Sequence, residues 1–177
     1  MADNPVSKMI DSDSPEELFE NYDENDEVPI GAYATLVGIF ASIFALFLML
    51  ARLAGRDLPE RVKLADLALL GVAAHKLSYI TSNASVMSFV RAPVTELQEV
   101  KSPTNLDEEP RGEGLQKALG NLLTCHFCLG MWVTAFFSYG LVLAPRVTRF
   151  LASIFAILAI SDFTHQSYKR AINKANE

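Results

Sequence analysis

Four apolar runs separated by polar connections organise this chain. The first, Ile30 to about Leu53, is almost free of charge. About twenty such residues, rising ~1.5 Å each, cross a hydrocarbon core of ~30 Å, so this run predicts a transmembrane helix. The second, Leu64 to about Ile80, carries Asp66 near its start and His75 and Lys76 inside it. A charge at membrane depth costs about 2.5 to 3.5 kcal/mol on insertion scales, so these groups are expected to face protein or a watery cavity. His75, Ser78, Tyr79 and Ser82 fall on one helical face and make a polar stripe. The third run, Cys128 to Leu143, and the fourth, about Val147 to Phe163, are both near the short limit for crossing and read as a tight hairpin joined at Pro145. Asp162 and His165 end the fourth run one helical turn apart on the same face.

Asn83 to Thr124 reads as a polar connection. Within it, Arg91 to Glu96 is an extended or turn element, Asp107 to Pro110 a solvated charge run, and Arg111-Gly112-Glu113-Gly114 a flexible turn rather than a phosphate loop. Leu115, Leu119, Leu122 and Leu123 then take the spacing of a helix apolar on one side, lying on the membrane surface or against the bundle. Small residues recur every fourth position at Ala34, Gly38 and Ser42, and again at Ala152 and Ala156, where another helix can approach closely. The fold class that follows is all-α, an integral membrane helical bundle of about four transmembrane helices plus one amphipathic surface helix. Residues 1–29 form an acidic disordered tail, 30–168 the helical membrane domain, and 169–177 a short polar C-terminal tail.

Composition sharpens this picture. Half of the residues are hydrophobic while a fifth are charged, so the two classes must be segregated along the chain. The net charge of -6 comes largely from the acidic tail, and no basic patch is present to bind phosphates, which argues against nucleic acid as a partner. In the tail, Ser14-Pro15-Glu16-Glu17 has the form of a capping box for a short acidic helix. No cleavable signal peptide is recognisable, so the first apolar run would itself act as the targeting signal. Arg52, Arg56, Arg61 and Lys63 follow that run and favour a cytoplasmic location for its C-terminal end, with the N-terminus outside; Lys169, Arg170 and Lys174 pull the other way. The expected partners are the lipid bilayer and other membrane helices, including further copies of the same chain.

Both cysteines and the single tryptophan lie in Thr124-Cys125-His126-Phe127-Cys128-Leu129-Gly130-Met131-Trp132, where the amphipathic segment meets the third apolar run. Cys125 and Cys128 have the spacing of half a zinc knuckle, and His75, His165 and Asp162, with His126 as an alternative ligand, are the other donors for zinc or another thiophilic metal. The same pair at a helix N-terminus suits thiol–disulfide chemistry, since the helix dipole and His126 both favour a thiolate. A third reading is ion or proton transport through Asp66, His75, Lys76, Asp162 and His165. The fourth, a small structural or interaction subunit of a membrane assembly, needs only helix association and is the leading reading. No catalytic residue is assigned.

The ordered blocks Leu69-Leu70-Gly71, His75-Lys76-Leu77-Ser78, Arg91-Ala92-Pro93-Val94-Thr95, Glu109-Pro110-Arg111-Gly112-Glu113-Gly114-Leu115 and Leu122 through Trp132 resemble domain-of-unknown-function family 1360, small bacterial membrane proteins. The resemblance spans roughly Leu64 to His165. It implies a bacterial membrane location and a shared architecture, and it carries no activity. Family members typically have proline after the first cysteine, where this chain has His126.

Overall fold

The computed structural model describes residues 30–102 and 105–175. The acidic tail and its Ser14 capping box lie outside the described residues. The elements are α1 (Ile30–Leu53), α2 (Leu64–Asn83), a 3-10 turn (Ser85–Met87), α3 (Ser88–Arg91), β1 (Thr95–Ser102), β2 (Asn105–Pro110), α4 (Gly114–Thr124), α5 (His126–Leu143) and α6 (Pro145–Ala175). The protein is an all-α molecule of membrane-helix character, to which the strands add one small hairpin.

Three helices, α1, α5 and α6, are long and apolar enough to cross a bilayer. The remaining apolar run, α2, has the length at twenty residues, but Asp66, His75, Lys76 and its serines dilute its hydropathy. Its two charged groups are both paired with α6. Asp66 is buried and receives a two-pronged hydrogen bond from Arg149 of α6, at 2.8 and 2.9 Å. Ten residues further along, Lys76 forms an ion pair with Asp162, also of α6. Because the early residue pairs early and the late residue late, α2 and α6 run parallel. α6 continues well past Phe163 to Ala175, so its 31 residues extend about 46 Å.

Small side chains let these helices close up. Leu70, Ala73 and Ala74 of α2 pack with Phe137 of α5 and Ala152 of α6, with Ala73 and Ala152 fully buried. The expected close contact at Ala152 and Ala156 is thus made. Gly140 faces Thr148 across the Pro145 turn so tightly that a Cβ there would sit 2.5 Å from the threonine Oγ1, which makes α5 and α6 an antiparallel hairpin. α1 lies outside this core and is held by aromatic contacts. Phe40 meets Trp132 edge-on at 5.2 Å and Phe47 stacks on Tyr139 at 4.3 Å, so α1 runs parallel to α5. The bundle is therefore up-and-down, α1 and α5 pointing one way, α2 and α6 the other. The polar stripe expected on α2 is divided: Ser78 and Ser82 are buried, whereas His75 and Tyr79 are exposed.

The connection from Asn83 to Thr124 is more ordered than its polarity predicts. The Asp107 to Pro110 charge run is not a loose solvated segment but part of β2, which pairs antiparallel with β1 from Thr95↔Pro110 to Ser102↔Asn105. The hairpin has little apolar face to announce it, and its anchor is ionic. Arg91 is 1% exposed and donates from Nε to Glu108 Oε2 at 2.6 Å, from Nη1 to the carbonyls of Thr81 and Ala84, and from Nη2 to Ser88 Oγ. One guanidinium thus bonds the Thr81 carbonyl in the last turn of α2 and the Ala84 carbonyl just after it while gripping β2. Beneath the hairpin, Gly120 of α4 comes so near that a Cβ would meet the Val94 carbonyl at 2.6 Å and Pro110 Cβ at 2.8 Å. Gly112 and Gly114, expected in a turn, both take positive φ there.

Burial alone would raise the Glu108 pKa. Hydrogen bonds from Arg91, Ser88 and Thr95, together with the Arg91 charge, outweigh it and hold the carboxyl below its ordinary 4.5. A depressed folded-state pKa contributes stability that is present above the unfolded value and lost as pH falls through the lower folded one. Amide-exchange protection of the hairpin should therefore persist down to pH 4.5 and fall only below it. Arg91→Met leaves Glu108 buried and unpaired, and should cost about 3–5 kcal/mol in detergent unfolding. Adding Glu108→Met should recover most of that loss.

Candidate functional site

The α4–α5 junction turns on a single residue. Cys125 (φ -100°, ψ 103°) is the last cap of α4, its N–H donating to Asn121 O, and the first cap of α5, its carbonyl accepting from Leu129 N–H. Its Sγ also accepts the Cys128 N–H at 3.2 Å, which gives a sulfur the role that serine or aspartate oxygen usually fills at a helix start. One helical turn brings the two Cα atoms to 5.3 Å, and Cys125 and Cys128 are joined as a disulfide. Cys128 and Phe127 are exposed, while Leu129 behind them is buried.

The structure places the other residues expected around this pair as follows. The His126 ring lies 6.3 Å from His75 and 6.1 Å from Tyr79, both on α2, and 4.0 Å from Phe127. Asp162 is engaged by Lys76, whose ammonium also sits 5.7 Å from the Tyr79 ring centre. His165 is exposed further along α6. His75 and His126 are thus brought to one another at the α2–α5 contact, whereas Asp162 and His165 stay on α6. With the sulfurs bonded to each other, no thiolate is presented, and among the described residues no group of three or more His, Cys, Asp and Glu is close enough to hold a metal ion. Of the groups expected in a transport path, Asp66 and Lys76 are each paired in cross-links to α6.

Sequence reasoning missed two features. One is the Arg91–Glu108 anchor, although both residues flank blocks that carry the family resemblance. The other is a cavity of about 540 Å³ on the opposite flank of α5, walled by α1, α4 and α5 and reaching Cys128. Its apolar walls include Leu36, Val37, Leu122, Met131 and Trp132, and at its edge Asn121 Nδ2 donates to the Tyr33 hydroxyl at 2.8 Å. The cavity had no signal in a one-dimensional pattern, since it forms only where three helices meet.

The matching family model, a protein of unknown function (DUF1360), covers residues 69–168. The chain belongs to this family. The matched span takes in α2 from Leu69 onward, the hairpin, α4, α5 and most of α6, including both cysteines and the Arg91–Glu108 anchor. No curated protein and no solved structure matches the chain.

The departure from the family pattern at His126 has a structural reading. His126 is the first residue of α5, where a backbone N–H has no intrahelical partner and proline's fixed φ fits the helix. His126→Pro should therefore preserve fold and disulfide, with unfolding stability changed by no more than about 1 kcal/mol. Leu129→Pro, which removes the N–H that bonds Cys125 O, should instead cost about 3 kcal/mol or more.

Proposed function

We propose that this membrane protein carries a working thiol–disulfide couple, Cys125–Cys128, at one end of its bundle. The observation that carries this reading is the disulfide itself, formed across the first turn of α5 with Cys125 as the helix cap. When the bond is reduced, the free N–H groups and dipole at that helix start stabilise an anionic sulfur. Cys128 is exposed and open to exchange with a second thiol.

The reading extends to location and orientation. A bacterial cytoplasmic membrane fits the family resemblance. Arg52, Arg56, Arg61 and Lys63 flank the α1–α2 connection, and Arg146 and Arg149 the α5–α6 turn, at the end of the bundle away from the cysteines. Basic short connections favour the cytoplasm, so the disulfide end faces outside, where disulfides persist. Lys169, Arg170 and Lys174 oppose this placement, though they lie near the end of a helix longer than the hydrocarbon core.

A second reading, a subunit that assembles through α1, has its own support. The stripe Ala34, Gly38, Ser42 lies on α1, and a groove runs past Thr35, Gly38 and Ser42 on its surface. Gly38→Leu should break a homo-oligomer into protomers on size-exclusion with light scattering if α1 pairs copies; an unchanged mass removes that reading.

The redox reading is tested by alkylation in glutathione buffers of graded potential. Unreduced protein should take up no maleimide, and reduced protein two, through one reversible two-electron transition. Equal labelling of oxidised and reduced samples would sink the couple. For orientation, a membrane-impermeant maleimide should label reduced spheroplasts, whereas labelling confined to inverted vesicles would reverse the topology.

A further inference from the structure

Within the thiol–disulfide reading, on which this inference rests, the electron partner is suggested by what adjoins the sulfurs. Cys128 belongs both to the disulfide and to the wall of the 540 Å³ cavity, so a molecule in the cavity lies against one of the two redox residues. That volume lies within the range of small-molecule sites. Its walls are apolar and aromatic, including Val37, Leu122, Met131 and Trp132, and two of its three walls are membrane-crossing helices. An occupant reaching it from the bilayer must therefore be lipid-soluble. Polar atoms are few and placed at one edge: Tyr33 accepts from Asn121 and so keeps its own O–H to donate, suited to a carbonyl oxygen.

We propose that the cavity binds a lipid-soluble 1,4-quinone, which reoxidises the reduced Cys125–Cys128 pair. The chemistry balances without any further group. Two S–H bonds break and the S–S bond forms; two electrons and two protons pass to the quinone, whose two carbonyls become the hydroxyls of a quinol. The disulfide is spent by exchange with a substrate dithiol, which leaves as a disulfide while Cys125 and Cys128 return to thiols. The protein thus passes electrons from extracytoplasmic thiols to the membrane quinone pool. The Tyr33 hydroxyl orients the ring by hydrogen bonding to one carbonyl, and Trp132 offers a flat face against it.

The test uses the full chain, reduced and freed of reductant under anaerobic conditions in liposomes. The probe is a decyl-substituted benzoquinone with every ring position occupied, so that thiols cannot add to the ring. Loss of the quinone absorbance should match loss of maleimide-reactive thiols, one quinol per disulfide. Val37→Trp, which fills the cavity from an exposed position on α1, should slow this reaction about tenfold or more, the scale set by losing a fitted apolar contact. Its rate with oxidised glutathione, which needs no cavity, should be unchanged, and a size-exclusion profile matching the parent's shows that the variant is folded. Met131→Trp serves as an independent filling variant. If glutathione disulfide re-forms the bond and the quinone does not, the quinone site is wrong and the thiol couple stands. If neither oxidant re-forms it, the couple falls as well. Equal quinone rates in the parent and both filled variants would overturn the cavity as the site.

Discussion

The rest of this bundle depends on how a polar helix, α2, is matched to one neighbour. α2 carries charge at two levels, and both charges are matched from one neighbour, Asp66 by Arg149 and Lys76 by Asp162. Pairing at two points fixes the direction and register of α2 against α6, because sliding either helix would leave both α2 charges unmatched in a medium that punishes lone ions. Ala73, Ala74 and Ala152 then fill the narrow space this register leaves. Once α2 and α6 are locked, the short Pro145 turn brings α5 back antiparallel, and the aromatic ladder on α5 receives α1. Helix association in lipid lacks a hydrophobic drive, so directional pairs and close packing of small residues do the specifying.

The same reasoning explains the end where the cysteines lie. Where α2 finishes, Arg91 reaches back to the carbonyls of Thr81 and Ala84 while holding Glu108. This anchor sets the hairpin, the hairpin rests on Gly120, and Gly120 positions α4 so that Cys125 ends one helix and begins the next. A disulfide spanning only a few residues closes too small a loop to brace the fold by chain entropy. At a helix start and on the wall of a cavity, the pair stands where the proposed exchange chemistry needs it.

The apolar exterior of α1 and α6 follows from the same division of labour. Residues such as Val37, Phe44, Ile157 and Ile160 are exposed because lipid is their expected solvent, whereas Asp66 is buried against Arg149. The core itself is apolar, built from Leu70, Ala73, Ala74, Phe137 and Ala152, and the charged groups of α2 are matched by ion pairs beside it.

By itself, the sequence determined the helices. Runs of apolar residues long enough to span a bilayer, the amphipathic spacing after Gly114, and the Pro145 stop are local signals, each set by period and length within a single segment. The small-residue contacts at Ala152 and Ala156 were legible for the same reason. Partnership was decided only by the tertiary structure: that Asp66 answers Arg149, that Arg91 turns a charged stretch into a hairpin, and that His75 and His126 meet while Asp162 goes to Lys76. These are long-range choices among several chemically equivalent partners, and a one-dimensional pattern holds no distance with which to choose. The cysteine pair belongs to both domains of information, since its spacing marked it as a site and only the meeting of α1, α4 and α5 gave that site a cavity.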